Sequence, residues 1–297
     1  MGTHRPVALV TGASSGIGEA TALALVRAGF EVVGTSRNTA KVAPREGVTF
    51  LDLDVSSDES VTTLVQQVID RFGRIDVLVN NAGIGSSGAT EESSVAQHQR
   101  VFDINVFGVI RMTKAVLPLM RAQGRGRIIN VSSFYGFAPQ PFMSAYIASK
   151  HAVEGYSESV DHEVREHGVR VLLVEPGATN TSFEGNLVQP DTPLPLYESR
   201  RRTVDQAVAN AVRSGDDPAV VAQGRRHRSH HRQAEAALPR GTVRQAHEPG
   251  APSRPGPDLR PADPQVQQTA GLTPPARPMR LPAPEEATTF PASRRRA

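Results

Sequence analysis

The sequence predicts an α/β fold, a doubly wound parallel sheet forming a single domain. Three observations carry that prediction. Short β-rich apolar runs alternate with longer stretches of helical period from residue 6 to residue 174. The strand-like runs are apolar nearly throughout, as suits strands covered on both faces. The first run breaks at Gly12 into a glycine-rich turn that opens a helix, and ligands of such sheets bind at the carboxyl ends of the strands.

Pro6 to Thr11 (PVALVT) is the first strand, and an Ala/Leu-rich helix follows the glycine turn to Ala28. Glu31–Thr35 and Val48–Leu53 read as the second and third strands. Ser57–Phe72 carries Val61, Leu64, Val65, Val68 and Ile69 on one helical stripe. Asp76–Val79 is a fourth strand and runs into NNAG. Ser94–Met120 reads as one helix, Arg127–Val131 as a fifth strand, Met143–His167 as a long helix and Val169–Val174 as a sixth strand. Right-handed crossovers then place helices on both faces of a parallel sheet.

Bulk composition excludes several classes. Cysteine is absent from the 297 residues, so there is no disulfide framework, thiolate metal site or thiol nucleophile. MGTHRPVALVTGAS lacks a basic segment followed by an apolar one, so a leader is not expected. The longest uncharged run, Ile128–Ser149, holds Asn130, Pro139, Gln140 and Pro141 and is not a membrane span. A cytoplasmic protein is expected. The net charge of +3 hides an asymmetry. Residues 223–297 carry 13 Arg, no Lys and 6 acidic residues, which leaves residues 1–222 at −4. The basic balance belongs to the tail, and a nucleic-acid partner is not expected. That tail also holds 13 of the 23 prolines and has no period, a composition expected to be disordered.

TGASSGIG, between strand and helix, is the setting of a phosphate-cradling turn. Gly12 permits the tight turn. Gly16 and Gly18 allow a pyrophosphate and the sheet to approach the helix N-terminus, whose N–H groups favour anions. The second strand ends in Thr35-Ser36-Arg37 where an NAD-preferring fold carries an acidic residue for the ribose 2′-OH. A guanidinium there suits a 2′-phosphate, so NADP(H) is expected rather than NAD. Ser133, Tyr146 and Lys150 supply proton chemistry. One helical turn separates Tyr146 from Lys150, and a nearby ammonium lowers a phenol's pKa toward a usable acid–base. Ser133 is placed to hydrogen-bond the same substrate oxygen.

Together, TGASSGIG (11–18), NNAG (80–83), Asn105, the Ser133/Tyr146/Lys150 set and PGATNT (176–181) resemble the short-chain dehydrogenase/reductase family over about residues 5–222. The thirteen-residue spacing of Ser133 and Tyr146 resembles it too. Within the family, the TSR ending and the aromatics after Ser133 resemble the NADP-preferring retinol and 17β-hydroxysteroid dehydrogenase group. The resemblance implies a Rossmann-type domain and an oxidoreductase acting on an alcohol, ketone or aldehyde. It makes Tyr146 the acid/base, Lys150 its modulator and the holder of the nicotinamide ribose, Ser133 the group that polarises the substrate, and Asn105 a relay residue. Ser14 and Ile17 would join the glycines at the pyrophosphate. Asp54 would meet the adenine amine and Asn81 the adenosine ribose region. Thr179 and Thr181 would meet the nicotinamide amide and phosphate. A homo-oligomer is the family expectation.

Other groups read less specifically. His151, His162 and His167 lack metal-ligand spacing, and Asp52 with Asp54 lacks a partner motif for hydrolysis. Phe134, Tyr135, Phe137, Phe142 and Met143 either wall an apolar pocket for a lipophilic substrate or pack as core. Tyr197–Ala222 fits the family's substrate-covering segment and helix; the pattern then stops. Permissible codons for Arg232–Arg240 and the residues after them, read one base later, yield the strand and amphipathic helix that the family carries there. Residues 223–297 are therefore read as a shifted frame, with the usual last strand missing and a sheet edge exposed; the base sequence of the locus tests this. A non-catalytic dinucleotide-binding protein, or an inactive product of a frameshifted gene, are the competing functional readings.

Overall fold

The computed structural model describes residues 5–223 and 243–244. Its strands are β1 (Val7–Val10), β2 (Glu31–Ser36), β3 (Val48–Asp52), β4 (Val77–Asn80), β5 (Gly85–Ser86), β6 (Gly126–Val131), β7 (Val169–Val174), β8 (Leu187–Val188) and β9 (Val243–Arg244). The main sheet has the order β3-β2-β1-β4-β6-β7-β9. Its first six strands are parallel and β9 is antiparallel to β7. The doubly wound expectation holds, and the order reverses between β1 and β4. β5 and β8 form a separate parallel pair that the sequence reading did not include.

Period-2 geometry sorts the β1 side chains between two cores. Val7 and Leu9 join a cluster with Leu64, Ile75, Leu78, Met112, Met120 and Ile128. Ala8 and Val10 join Leu25, Phe30, Val32, Val77, Val79 and Ile129 on the opposite face. Helix α1 (Gly16–Arg27) covers that second face. Helices α2 (Asp58–Phe72), α4 (Gly108–Ala122) and α5 (Ser144–Val164) cover the first. The side chain of Ser57 caps α2 by accepting from the N–H of Ser60 at 3.1 Å.

The expected Ser94–Met120 helix is interrupted. Helix α3 (Val95–Phe102) passes through a π-helical segment, Asp103–Phe107, into α4. Two contacts account for the break. Asn105 is tied to the backbone of Ile84, and Gly108 comes so close to Val55 that a Cβ would lie 2.9 Å from its Cγ2. Such segments are frequent at functional sites. The expected Met143–His167 helix is α5 followed by a 3₁₀ turn, Arg165–His167. Helix α6 (Pro195–Arg213) and the short α7 (Pro218–Gln223) follow, and α7 packs on α1.

Residues 224–242 and 245–297, most of the stretch read as a disordered shifted-frame tail, lie outside the described residues. Within that stretch Val243 and Arg244 pair with Val174 and Leu173. Among the described residues no helix is long and apolar enough to cross a membrane.

Candidate functional site

The glycine turn is held by side chains as well as by its own backbone. Gly12 and Gly16 have φ of 64° and 58°, in the left-handed region that glycine enters without cost. Thr11 Oγ1 accepts from the N–H groups of Asn81 and Ala82 at 2.9 and 3.0 Å. Asn81 Nδ2 donates back to the carbonyls of Thr11 and Gly12 at 2.9 and 3.1 Å. Gly18 stands over this lock: a Cβ there would lie 2.3 Å from the Gly12 carbonyl oxygen and 2.4 Å from Asn81 Nδ2. Asn81 thus braces the turn from the end of β4, as well as lining the cleft beside it.

That cleft, of about 560 Å³, is lined by Gly12, Ser14, Gly16, Ile17, Arg37, Asp54, Asn81 and Thr181 among others. The site residues expected for the phosphates and the adenosine therefore share one cavity, except Gly18, which packs against Gly12 and Asn81 instead of lining it. Arg37 is exposed at the end of β2. Hydrogen bonds from the hydroxyl and N–H of Ser56 hold the Asp54 carboxyl below the ordinary range, and the Arg37 charge adds to this. A nicotinamide dinucleotide fits these residues, because glycine backbone without side chains (Gly12, Gly16), the Arg37 guanidinium and the Asp54 carboxyl line one cleft.

A second cavity, of about 330 Å³, adjoins the first and shares Ile17, Asn81, Ile84, Thr181 and Phe183 with it. Ser133, Tyr146, Lys150 and Thr179 line it. Tyr146 and Lys150 project from the first two turns of α5, and both are buried. Lys150 Nζ donates to the carbonyl of Val131 at 2.8 Å and lies 5.7 Å from the centroid of the Tyr146 ring. Ser133 leads into a 3₁₀ turn, and its Oγ accepts from the N–H of Tyr135 at 3.2 Å.

The electrostatics correct one expectation. Lys150 was expected to draw the phenol pKa down. Instead burial pushes Tyr146 up to about 12; a hydrogen bond with Ser133 opposes this and Tyr135 adds to it. Burial also pushes Lys150 down to about 8, against the pull of Glu154. Desolvation disfavours both charged forms, and the ammonium is directed at a backbone carbonyl of β6 rather than at the phenol alone.

Asn105 is buried in the π-helical segment. Its Nδ2 donates to the Ile84 carbonyl at 2.8 Å and to Ser149 Oγ at 3.0 Å, and its Oδ1 accepts from the Ile84 N–H at 2.9 Å. It thereby links the loop after β4 to the residue preceding Lys150. Thr179 Oγ1 donates to the Gly177 carbonyl at 3.1 Å.

Neither reading offered for the aromatic stretch holds throughout it. Phe134, Tyr135 and Met143 line the second cavity. Phe137 is half exposed, its ring 5.1 Å from that of Phe134, and the Phe142 ring lies 6.3 Å from Tyr197. Sequence reasoning missed Ile84, Phe183, Val208, Ala211 and Val212, which complete the cavity wall. Val204, Val208 and Val212 recur every four residues, a helical signal readable from the chain. Phe183 has no such signal; the fold brings its ring to 5.6 Å from that of Tyr146. Among the described residues no cluster of His, Asp and Glu could hold a metal ion, and His151 Nδ1 lies 3.0 Å from the Ile147 carbonyl of its own helix.

A cleft shaped for a dinucleotide that opens onto a buried phenol is the arrangement of a nicotinamide-dependent oxidoreductase. The chain belongs to the short chain dehydrogenase family, whose model matches residues 6–192. It is 46% identical over 180 residues to a 3-ketodihydrosphingosine reductase of Bacteroides thetaiotaomicron, a match covering 61% of this chain and 66% of that one. It is 41% identical over 193 residues to retinol dehydrogenase 8 of Bos taurus, covering 61% of each. The chain thus spans about two thirds or less of the length of these relatives. Among solved structures, a short-chain dehydrogenase from Streptomyces avermitilis superposes with a TM-score of 0.68 at 39% identity, covering 74% of this chain and 82% of that one. A family member from Burkholderia phymatum in complex with NAD gives 0.65 at 29% identity, covering 74% and 84%. ElxO with NADP bound gives 0.62 at 27% identity, covering 73% and 88%. Similar structures therefore hold either dinucleotide.

Proposed function

We propose that the chain is an NADP(H)-dependent oxidoreductase that interconverts a lipophilic alcohol with its ketone or aldehyde. The observation that carries this reading is the position of Tyr146 and Ser133, buried in a largely apolar cavity that adjoins the glycine-turn cleft. When bound in that cleft, the nicotinamide supplies hydride exchange with a substrate carbon. The chain's own residues handle orientation and the proton. Tyr146, kept neutral by burial, gives its phenolic proton to the carbonyl oxygen in reduction and takes it back in oxidation. Ser133 donates a hydrogen bond to that same oxygen. Lys150, anchored on Val131, holds positive charge beside the phenol, and Asn105 fixes the segment that precedes it.

Arg37 supports the choice of NADP(H), because it places a guanidinium at the adenosine end of the cleft. Phe134, Met143, Phe183, Val208 and Val212 support the lipophilic substrate. The relatives named for 3-ketodihydrosphingosine and for retinol support the same class. The test is to incubate the full chain with NADPH or NADH and a panel of ketones and aldehydes of increasing chain length, following reduced-cofactor absorbance. Turnover with NADPH that favours longer chains is expected. Turnover limited to small polar carbonyls, or preferring NADH, would contradict the reading.

A further inference from the structure

We propose that Glu92 and Arg201 are positioning residues, a buried ionic latch that seats helix α6 over the apolar cavity and so sets which substrates bind productively. This rests on the oxidoreductase reading above. Glu92 ends a 3₁₀ turn, Thr90–Glu92, and lines neither cavity, yet its side chain is 0% exposed and that of its partner Arg201 only 13%. Among the described residues, its hydrogen bonds go to its own turn and to the approach and second turn of α6. Oε1 accepts from the Leu194 N–H at 2.8 Å and from the Arg201 guanidinium, and Oε2 accepts from the Ala89 N–H at 2.8 Å. Its backbone carbonyl accepts from the N–H and the hydroxyl of Thr192 at 3.0 and 2.9 Å.

Besides the latch, the helix is held by Tyr197, whose hydroxyl donates to Glu91 Oε2 at 2.8 Å and whose ring meets that of Phe142, and by Asp205. None of its residues is fully buried, and its N-cap, Leu194, provides no side-chain cap. Two elements of helix geometry connect the latch to the cavity. Arg201, Asp205, Val208 and Val212 follow one another at spacings of four, three and four, a single stripe on one face. Arg201 is held by Glu92, and Asp205 Oδ1 accepts from Ser87 Oγ at 2.6 Å. Val208 and Val212 then line the same cavity as Ser133, Tyr146 and Lys150. The polar half of the stripe fixes the depth and rotation of the apolar half. Removing one partner of a buried pair leaves an uncompensated charge, so α6 should loosen when Glu92 or Arg201 is replaced.

The experiment compares wild type with Glu92→Gln, and with Arg201→Met in case the first variant folds poorly. Amide hydrogen exchange is read across the chain, together with NADPH affinity and kinetics on a long-chain and a short-chain ketone. Faster exchange confined to about residues 187–213 is expected. KM for the long-chain ketone should rise about tenfold or more, while kcat/KM for the short one and the Kd for NADPH stay within about twofold. Unchanged exchange across α6, or equal shifts for both ketones, would overturn the latch. Should wild type turn over no carbonyl at all, the proposed function falls; the exchange pattern then decides the latch by itself.

Discussion

Lys150 Nζ is bonded at 2.8 Å to the Val131 carbonyl while lying 5.7 Å from the centre of the Tyr146 ring. The ammonium is thus fixed to the end of β6, and α5 sets its distance from the phenol. Both groups are buried deeply enough that their neutral forms gain.

A pH signature follows from that burial. Lys150 is pushed down from its ordinary 10.5 to about 8. Between those values the unfolded chain holds more protons at this site than the folded one, so stability rises with pH. Tyr146 is pushed up from 10.0 to about 12, so the folded chain holds more protons there and stability falls with pH over that interval. Relative to Lys150→Met, wild type should gain roughly 3 kcal/mol between pH 8 and 10.5, read from urea midpoints. A difference independent of pH would contradict the buried ammonium.

The glycine turn makes a second prediction. Gly18→Ala places a methyl 2.3 Å from the Gly12 carbonyl oxygen, a backbone atom that has to shift. Dinucleotide affinity should fall by about tenfold or more, with about 1–3 kcal/mol of lost stability. Gly155→Ala is the control, since nothing lies within 4 Å of its added Cβ. There, a gain of about 0.5–1 kcal/mol in helix α5 is expected. Equal titration curves for Gly18→Ala and wild type would remove the turn from the binding site.

Arg37 tests cofactor choice. Arg37→Ala should weaken NADPH binding about tenfold to a hundredfold, the range of a hydrogen bond to a charged group, and leave NADH within about twofold. Parallel losses for the two cofactors, in a fluorescence titration, would contradict a 2′-phosphate role.

Asp161 separates stability from chemistry. Its side chain is fully buried on α5, accepts from Arg170 Nε at 2.8 Å and from the Val171 N–H at 2.9 Å, and pairs with Arg165 at 2.9 Å. Burial pushes its carboxyl up, but these donors hold it below the ordinary range. Asp161→Ala should cost about 3 kcal/mol in urea unfolding, since it strands the buried Val171 N–H and the half-buried guanidinium groups of Arg165 and Arg170. Dinucleotide affinity of the remaining folded fraction should not change. A cost below about 1 kcal/mol would mean that water reaches the site.

What was legible in the chain was local. The apolar run Val7–Val10 gave away its strand, and Val169–Val174 did so despite Arg170, because burial on both faces leaves little polar alternation. Tyr146 and Lys150 were legible because four residues make one helical turn. The π-helical break at Asp103–Phe107 was not, because its cause is a side chain bonded to Ile84, 21 residues away. Glu92 and Arg201 were also out of reach. Their pairing spans 109 residues, and neither sits in a motif. The direction of the Tyr146 shift was misread for the same reason: spacing reports a neighbouring charge, whereas desolvation depends on everything packed around the phenol.

The most direct measurement is reduced-cofactor consumption by wild type and Tyr146→Phe with a long-chain ketone and NADPH, alongside cofactor titration of both. Wild type should turn over and the variant should lose about 10²–10⁴-fold, with NADPH affinity within about twofold. Equal turnover by the two proteins, or none by wild type on any ketone, aldehyde or alcohol despite cofactor binding, would contradict it.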